Sequence, residues 1–298
     1  MCRFASLNFR HFQGNDDVAY SKVPKEELTQ KGVNSTTLRS FILEYLHTLI
    51  YVGPLVFLAG FIDAVAGGGG TIGIPAYMLT GMPVHFALGT NKFSMTIGTA
   101  VAAGRFIKNK AVDVQTVIIS VVFALIGSAF GAWIALSISD RAIRLAMIII
   151  LPCVAVFLAF RNNKIYEGEP EKLSVFRKIA LAIFVGAFMG VYDGLIGPGT
   201  GTFGIIAYNS LMKFDFVTAS GNAKVVNLAS NFGAFATFAL HGNVIFALGI
   251  PAALFCIAGN YVGSGFALRK GAKLIRPMLF VVLGILLVRI AYDFVNMV

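Results

Sequence analysis

The fold class this sequence predicts is an all-α polytopic membrane protein of two inverted five-element repeats, each with a short or broken helix beside a glycine-rich segment. Three observations predict it. Of the 298 residues, 57% are hydrophobic and 13% charged, with a mean hydropathy of +0.79, which leaves too little polar surface for a soluble domain of this size. From residue 44 onward, apolar stretches follow one another at the length of about 20 residues that a hydrocarbon layer of about 30 Å requires. Polar landmarks of the first half return in the second at a near-constant spacing, the mark of an internal duplication.

Residues 1–43 read as a polar tail, because Arg3, Arg10, Asp16, Asp17, Lys22, Lys25, Glu26, Glu27, Lys31 and Arg39 interrupt every apolar run. The tail lacks the apolar stretch and small-residue cleavage site of a signal peptide. A short surface helix is expected over 25–31. Full-length spans are expected over 45–65, 86–106, 114–138, 141–160, 174–195, 218–240, 244–268 and 274–296. Between them, 70–84 and 199–214 are too short or too broken for a simple span. Their glycines and prolines leave backbone groups that lipid cannot satisfy, so these segments belong against protein or along a cavity, either as short crossing helices or as re-entrant hairpins. The organisation is then a first transmembrane repeat over 44–160, a connecting loop over 161–173 and a second repeat over 174–298.

The duplication rests on polar positions in register. Ala87-Leu88-Gly89-Thr90-Asn91-Lys92 aligns with Ala219-Ser220-Gly221-Asn222-Ala223-Lys224 at an offset of 132 residues. The same offset carries Gly127 onto Gly259, Gly131 onto Gly263, and Ile143-Arg144 onto Ile275-Arg276, while Asp63 and Asp193 stand 130 apart. Five crossing elements per half, an odd number, force the halves to be antiparallel. Placing the tail outside then gathers Arg105, Lys108, Lys110, Arg161, Lys164, Lys172, Arg177, Lys178, Arg269, Lys270, Lys273 and Arg276 on the cytoplasmic side, as the positive-inside rule favours. With re-entrant short segments, four spans per half would make the halves parallel and move the last cluster outside. Ten crossing elements, two of them short, are therefore the preferred arrangement.

The formal charge of +10 comes from short clusters between apolar runs, so it reads as cytoplasmic anchoring and not as a nucleic-acid surface. Cys2, Cys153 and Cys256 are too dispersed for a disulfide framework or a Cys-x-x-Cys metal site. Gly127-x-x-x-Gly131, Gly186-x-x-x-Gly190 and Gly259-x-x-x-Gly263 put small residues one turn apart, where helices cross closely.

Two segments carry the functional signal. Asp63, inside an apolar run, is followed by Gly67-Gly68-Gly69-Gly70-Thr71 and Pro75. Asp193, similarly placed, is followed by Gly197-Pro198-Gly199-Thr200-Gly201-Thr202. Interrupted helices at matching places in two halves of a membrane protein point to a transporter's binding site. A helix restarting after such a break aims free N–H groups and a positive dipole end inward, with Gly69 and Gly199 at the breaks and Thr71 and Thr202 placed to cap the restarts. The tract is no nucleotide-binding loop, because it lacks the Gly-Lys-Ser/Thr ending.

From about Leu55 through the last helix, these motifs, with Gly89-Thr90-Asn91-Lys92 and Gly221-Asn222-Ala223-Lys224-Val225-Val226-Asn227, resemble the sulfite exporter TauE/SafE family of membrane permeases. The resemblance implies export or import of sulfite, organosulfonates or related small anions, with a substrate that varies across the family.

Lys92 and Lys224 are the leading candidates for the anion's partner. A lysine near a helix start can snorkel to the headgroups. Deeper in the bilayer a charge costs about 3 kcal/mol and faces the bundle interior, and two at equivalent positions suggest one cationic site. Each heads a polar track on one helix face: Lys92, Thr96 and Thr99, and Lys224, Asn227 and Asn231. Hydroxyls and carboxamides there, with Asn91 and Asn222 beside the lysines, can donate to sulfite or sulfonate oxygens. Asp63 and Asp193 admit several roles: pairing with Lys92 and Lys224, accepting hydrogen bonds from the broken backbone, carrying a coupling proton, or binding Na+.

The function expected is transport of a small oxyanion, sulfite or an organosulfonate, by alternating access across the plasma membrane, the inner membrane in a bacterium. The alternatives are a carrier of another small anion, such as a carboxylate or a different sulfur compound, and a non-transporting membrane scaffold. No enzymatic activity, metal, cofactor or nucleic acid is expected; the partners are a small anionic solute, the bilayer and, for coupling, H+ or Na+.

Overall fold

The computed structural model describes residues 35–143, 145–146 and 173–270. The helix expected over 25–31, most of the span over 141–160, the loop before residue 173 and the span over 274–296 lie outside the described residues. Every regular element within them is helical: α1 (Ser35–Ala66), α2 (Gly70–Met78), α3 (Val84–Lys108), α4 (Val114–Ser137), α5 (Val175–Leu195), α6 (Thr200–Met212), α7 (Phe216–Leu240) and α8 (Phe246–Lys270). Among the described residues, four stretches are long and apolar enough to cross a membrane: Thr48–Ala66, Val114–Ser137, Val175–Leu195 and Phe246–Lys270. Helices α3 and α7, 25 residues each, have the length but not the apolarity. The reason is inward: they bury Thr90, Asn91, Lys92, Ser94 and Thr99, and Ser220, Asn222, Lys224, Asn227, Ser230 and Asn231.

The burial pattern is that of a molecule whose solvent is lipid. Ile126, Phe130, Trp133, Phe184, Leu254 and Tyr261 are exposed, while charged and polar side chains and glycines are buried among the apolar core. Helix crossings use the glycines in the way their spacing suggests. A Cβ added at Gly186 or Gly190 would lie 2.7 and 2.8 Å from the Cα atoms of Ser120 and Ala124 on α4, and one at Gly127 would lie 3.0 Å from the Ala187 carbonyl on α5. On the other side, Gly259 and Gly263 of α8 close on the backbone of α1 at Phe57 and Phe61. Thus α4 packs on α5 and α8 on α1.

The paired contacts also fix directions. Gly186 meets Ser120, Gly190 meets Ala124 and Gly194 meets Ser128, so α5 runs parallel to α4; Gly221 by Ala111 and Gly233 by Leu125 put α7 in the same sense. Helices α1, α3 and α8 run the opposite way, with Gly53 on Phe255, Gly60 and Gly98 both on Asn260, and Arg105 reaching Ser264 at 3.2 Å. The short helices reverse. Gly73 of α2 contacts Asn91 and Met95, and the chain turns at 79–83 into α3, so α2 is antiparallel to α3 and hence to α1; Gly204 against Ala223 does the same for α6, α7 and α5.

At 1.5 Å per residue, the nine residues of α2 and thirteen of α6 span about 13 and 20 Å, short of a layer of about 30 Å. Each folds back antiparallel to the long helix before it. The basic residues gather as expected within the described residues: Arg105, Lys178 (3.0 Å from Asp113), Arg269 and Lys270 share one end. Arg141 lies at the other, beside the Val84–Asp140 contact. Helix α1 extends back to Ser35, into the stretch read as polar tail.

Candidate functional site

The tips of the two hairpins touch at the centre. Gly67, with φ of +76°, turns the chain after α1 and takes its N–H back to the Asp63 carbonyl at 2.8 Å. A Cβ on it would lie 2.5 Å from the Cα of Gly201, so only glycine permits the approach. Across the contact, the Thr202 hydroxyl donates to the Ala66 carbonyl at 2.7 Å, an end group of α1 that its own helix leaves free. The equivalent turn after α5 is made by Gly197 and Gly199, with φ of +90° and +82°.

Threonine caps at the helix restarts are not found. Thr71 donates to the Gly68 carbonyl at 2.6 Å and Thr202 to Ala66; the residues preceding α2 and α6 are Gly69 and Gly199, neither with a side chain to cap with. In a break with several free carbonyls nearby, a hydroxyl serves better as a donor than as an acceptor.

Four charges meet beneath these tips, paired across the halves. Lys92 Nζ of α3 lies 2.7 Å from Asp193 Oδ1 of α5, with side chains 2% and 3% exposed. Lys224 Nζ of α7 lies 2.9 Å from Asp63 Oδ2 of α1, at 2% and 6%. Neither lysine snorkels. Charges this deep persist when paired and further hydrogen-bonded. Lys92 also donates to Asn231 Oδ1 at 3.2 Å, and Asn231 Nδ2 to Asn227 Oδ1 at 3.2 Å. Ser230 donates to Asp193 Oδ2 at 2.7 Å, Thr99 to Asp63 Oδ2 at 3.2 Å, and Lys224 to the Asp63 main-chain carbonyl.

A cavity of about 10 Å³ lies between the pairs, lined by Asp63, Gly67, Gly70, Asn91, Lys92, Met95, Asp193, Gly197, Asn227 and Asn231. That is the room of one water molecule. Asn91 Oδ1 is buried there without a hydrogen-bond partner. Since rotation about χ2 exchanges an amide's oxygen and nitrogen, Asn91 holds unspent hydrogen-bonding capacity at the wall.

Of the residues singled out in the sequence, Lys92, Asn91, Asn227, Asn231, Asp63 and Asp193 converge on this cavity. Lys224 reaches only its aspartate and does not line it. Thr96 turns its hydroxyl to the Lys92 carbonyl of its own helix at 2.7 Å. Asn222 accepts the Asp113 N–H at 2.8 Å, tying α7 to the start of α4. Gly69 packs against the Asp63 side chain and Gly199 only turns the chain. Sequence reasoning missed Ser230 and Met95, and placed Gly197 in the break without assigning it to the cavity wall. A serine beside an asparagine on a buried face is a weak signal; the position of Gly197, four residues after Asp193, was visible.

Residues 52–290 match the profile described as Sulfite exporter TauE/SafE, four-fifths of the sequence. The chain belongs to the TauE/SafE family. A "Probable membrane transporter protein" of Haemophilus influenzae is 33% identical over 84% of this chain and 96% of that protein. The "Probable membrane transporter protein YfcA" of Escherichia coli K12 is 32% identical over 84% and 95%, and the "Probable membrane transporter protein YdhB" of Bacillus subtilis is 24% identical over 71% and 87%. No solved structure matches the chain. As a TauE/SafE member it is a multi-pass membrane transporter of the plasma membrane, the inner membrane in a bacterium, and not an enzyme.

Proposed function

We propose that this TauE/SafE protein carries a small oxyanion, sulfite or an organosulfonate, by alternating access at the cavity beneath the hairpin tips. The observation that carries the reading is Lys92, a buried ammonium facing that cavity with three carboxamides, those of Asn91, Asn227 and Asn231. An ammonium and amide N–H groups are donors that converging oxyanion oxygens accept. The two halves are read as inverted repeats, 44–160 and 174–298. The opposed directions of α1 and α5, α3 and α7, and α4 and α8 support this, as does the meeting of the two tips at the site. One half rocking against the other then opens the cavity to alternate faces. The basic end is cytoplasmic by the positive-inside rule.

Purified protein in proteoliposomes should take up labelled sulfite or methanesulfonate in preference to acetate, and Lys92→Ala should abolish the flux. Absence of flux for every anion tried refutes the reading; uptake of acetate alone would make the substrate a carboxylate.

A further inference from the structure

The two lysines occupy equivalent places in the duplicated sequence, but their surroundings are not equivalent. At the offset of 132 residues, Asn227 stands opposite Met95, Asn231 opposite Thr99, and Asn91 opposite Ala223. The polar groups are thus concentrated around one pair. Lys92 faces the cavity and is shared between Asp193 and Asn231. A Cβ on Gly197 would come within 3.2 Å of its Nζ, so the turn of the second hairpin lies directly against it. Lys224 is absent from the cavity wall and is bound twice to one residue, the side chain and main-chain carbonyl of Asp63. That carbonyl also accepts from Gly67. Lys224 therefore clamps the end of α1.

The charges at the site sum to zero. Lys92 is neutralised by Asp193 and Lys224 by Asp63, so an anion entering alone would leave an unbalanced negative charge in a dry interior. We infer that the two pairs divide the work: Lys92–Asp193 is the exchangeable pair, parted when an anion and a proton bind together, and Lys224–Asp63 is a fixed brace. The inference rests on the anion-transport reading above. A proton from water on the open side adds to the Asp193 carboxylate, and Lys92 transfers its hydrogen bond from Asp193 to an oxygen of the anion. The site then holds one ammonium, one anion and a neutral carboxyl where it held one ammonium and one carboxylate, so its charge is unchanged. Other charged groups around Asp193 are Asp63 of α1 across the cavity and Lys224 of α7. Helix α4 faces α5 with Ser120, Ala124 and Ser128, none of which titrates there, and Thr200 at the start of α6 is engaged with Gly197.

The test uses full-length protein in nanodiscs and proteoliposomes, with methanesulfonate, whose charge is constant from about pH 5.5 to 8, and sulfite in parallel. Wild-type affinity should weaken as pH rises, with a limiting slope of about tenfold per pH unit for one linked proton. A pH dye should register one proton taken up per methanesulfonate. Asp193→Asn should flatten the slope and abolish accumulation driven by a pH gradient. Asp63→Asn should keep the wild-type slope and melt at lower temperature; if it does not fold, the charge-matched double variant Lys224→Met/Asp63→Asn takes its place in the same comparison. Binding without a pH slope or proton uptake overturns the inference and leaves anion transport standing, as does a slope lost with Asp63 and kept without Asp193. Failure of the wild type to bind or move either anion overturns the transport reading itself.

Discussion

Replacing Lys224 by methionine should destabilise the fold severely, and much of the loss should return when Asp63 becomes asparagine in the same chain. Lys224 Nζ lies 2.9 Å from Asp63 Oδ2, and the two side chains are 2% and 6% exposed. The single variant keeps the volume but strands a carboxylate whose other side-chain partner is the Thr99 hydroxyl at 3.2 Å. Breaking such a buried pair from one side costs about 3–5 kcal/mol. In the double variant no charge remains, and the asparagine still accepts from Thr99. What is lost is the hydrogen bonds from Lys224 to the side chain and carbonyl of residue 63, about 1–3 kcal/mol in all. The two substitutions should therefore couple by about 2 kcal/mol or more. Cys256, buried at 0% exposure, supplies the assay. With Cys2 and Cys153 changed to serine, reaction of its thiol with a fluorogenic maleimide reports unfolding. A Lys224→Met protein that melts like the wild type, or a double variant as unstable as the sum of its singles, would refute the brace.

Gly190→Ala should lower stability by about 1–3 kcal/mol, because the new Cβ would sit 2.8 Å from the Ala124 Cα, an atom of a packed helix; the same thiol assay measures it. At the basic end, burial opposes ionisation of Asp113, but hydrogen bonds from Thr116 and the Lys178 ammonium outweigh it and hold the carboxyl below its ordinary value of 3.8. A depressed folded value stabilises above the ordinary one and is lost as pH falls through the folded value. Unfolding followed from neutral pH to below 3.8 should show a shallower acid loss in Asp113→Asn, and parallel curves would dismiss the link. Reporters fused after Lys110 and after Lys270 should both read cytoplasmic, and opposite locations would rule out the shared basic end.

The sequence made the helices, their glycine crossings and the residues of the cavity legible, because each depends on local pattern. Gly127, Gly190 and Gly259 stand on apolar helices at spacings only close packing uses, and a lysine beside an asparagine in an apolar run has few places to go. The hairpins were not legible. The way α2 folds back on α1 depends on the contact of Gly67 with the Gly201 backbone 134 residues away, which no local pattern reveals. The threonine caps failed similarly, because the choice between donating and accepting is made by carbonyls such as that of Ala66, supplied from the other half.

The pairing itself shows where reasoning from internal repetition holds and where it stops. Repetition correctly made the two lysines and two aspartates comparable, and each lysine does meet an aspartate, though always that of the opposite half. Equivalence of position then suggested equivalence of role. What separates them is the company each keeps: Asn91, Asn227 and Asn231 around Lys92 and the cavity, against Ala223, Met95 and Thr99 at the matching positions. An amide can solvate an ammonium that has released its carboxylate; an alanine methyl or a thioether cannot. A pair that must part during a transport cycle needs such substitutes at hand, and a pair that only holds a helix end does not. Asymmetric polarity around symmetric charges is therefore the physical signature of one working site in a duplicated scaffold.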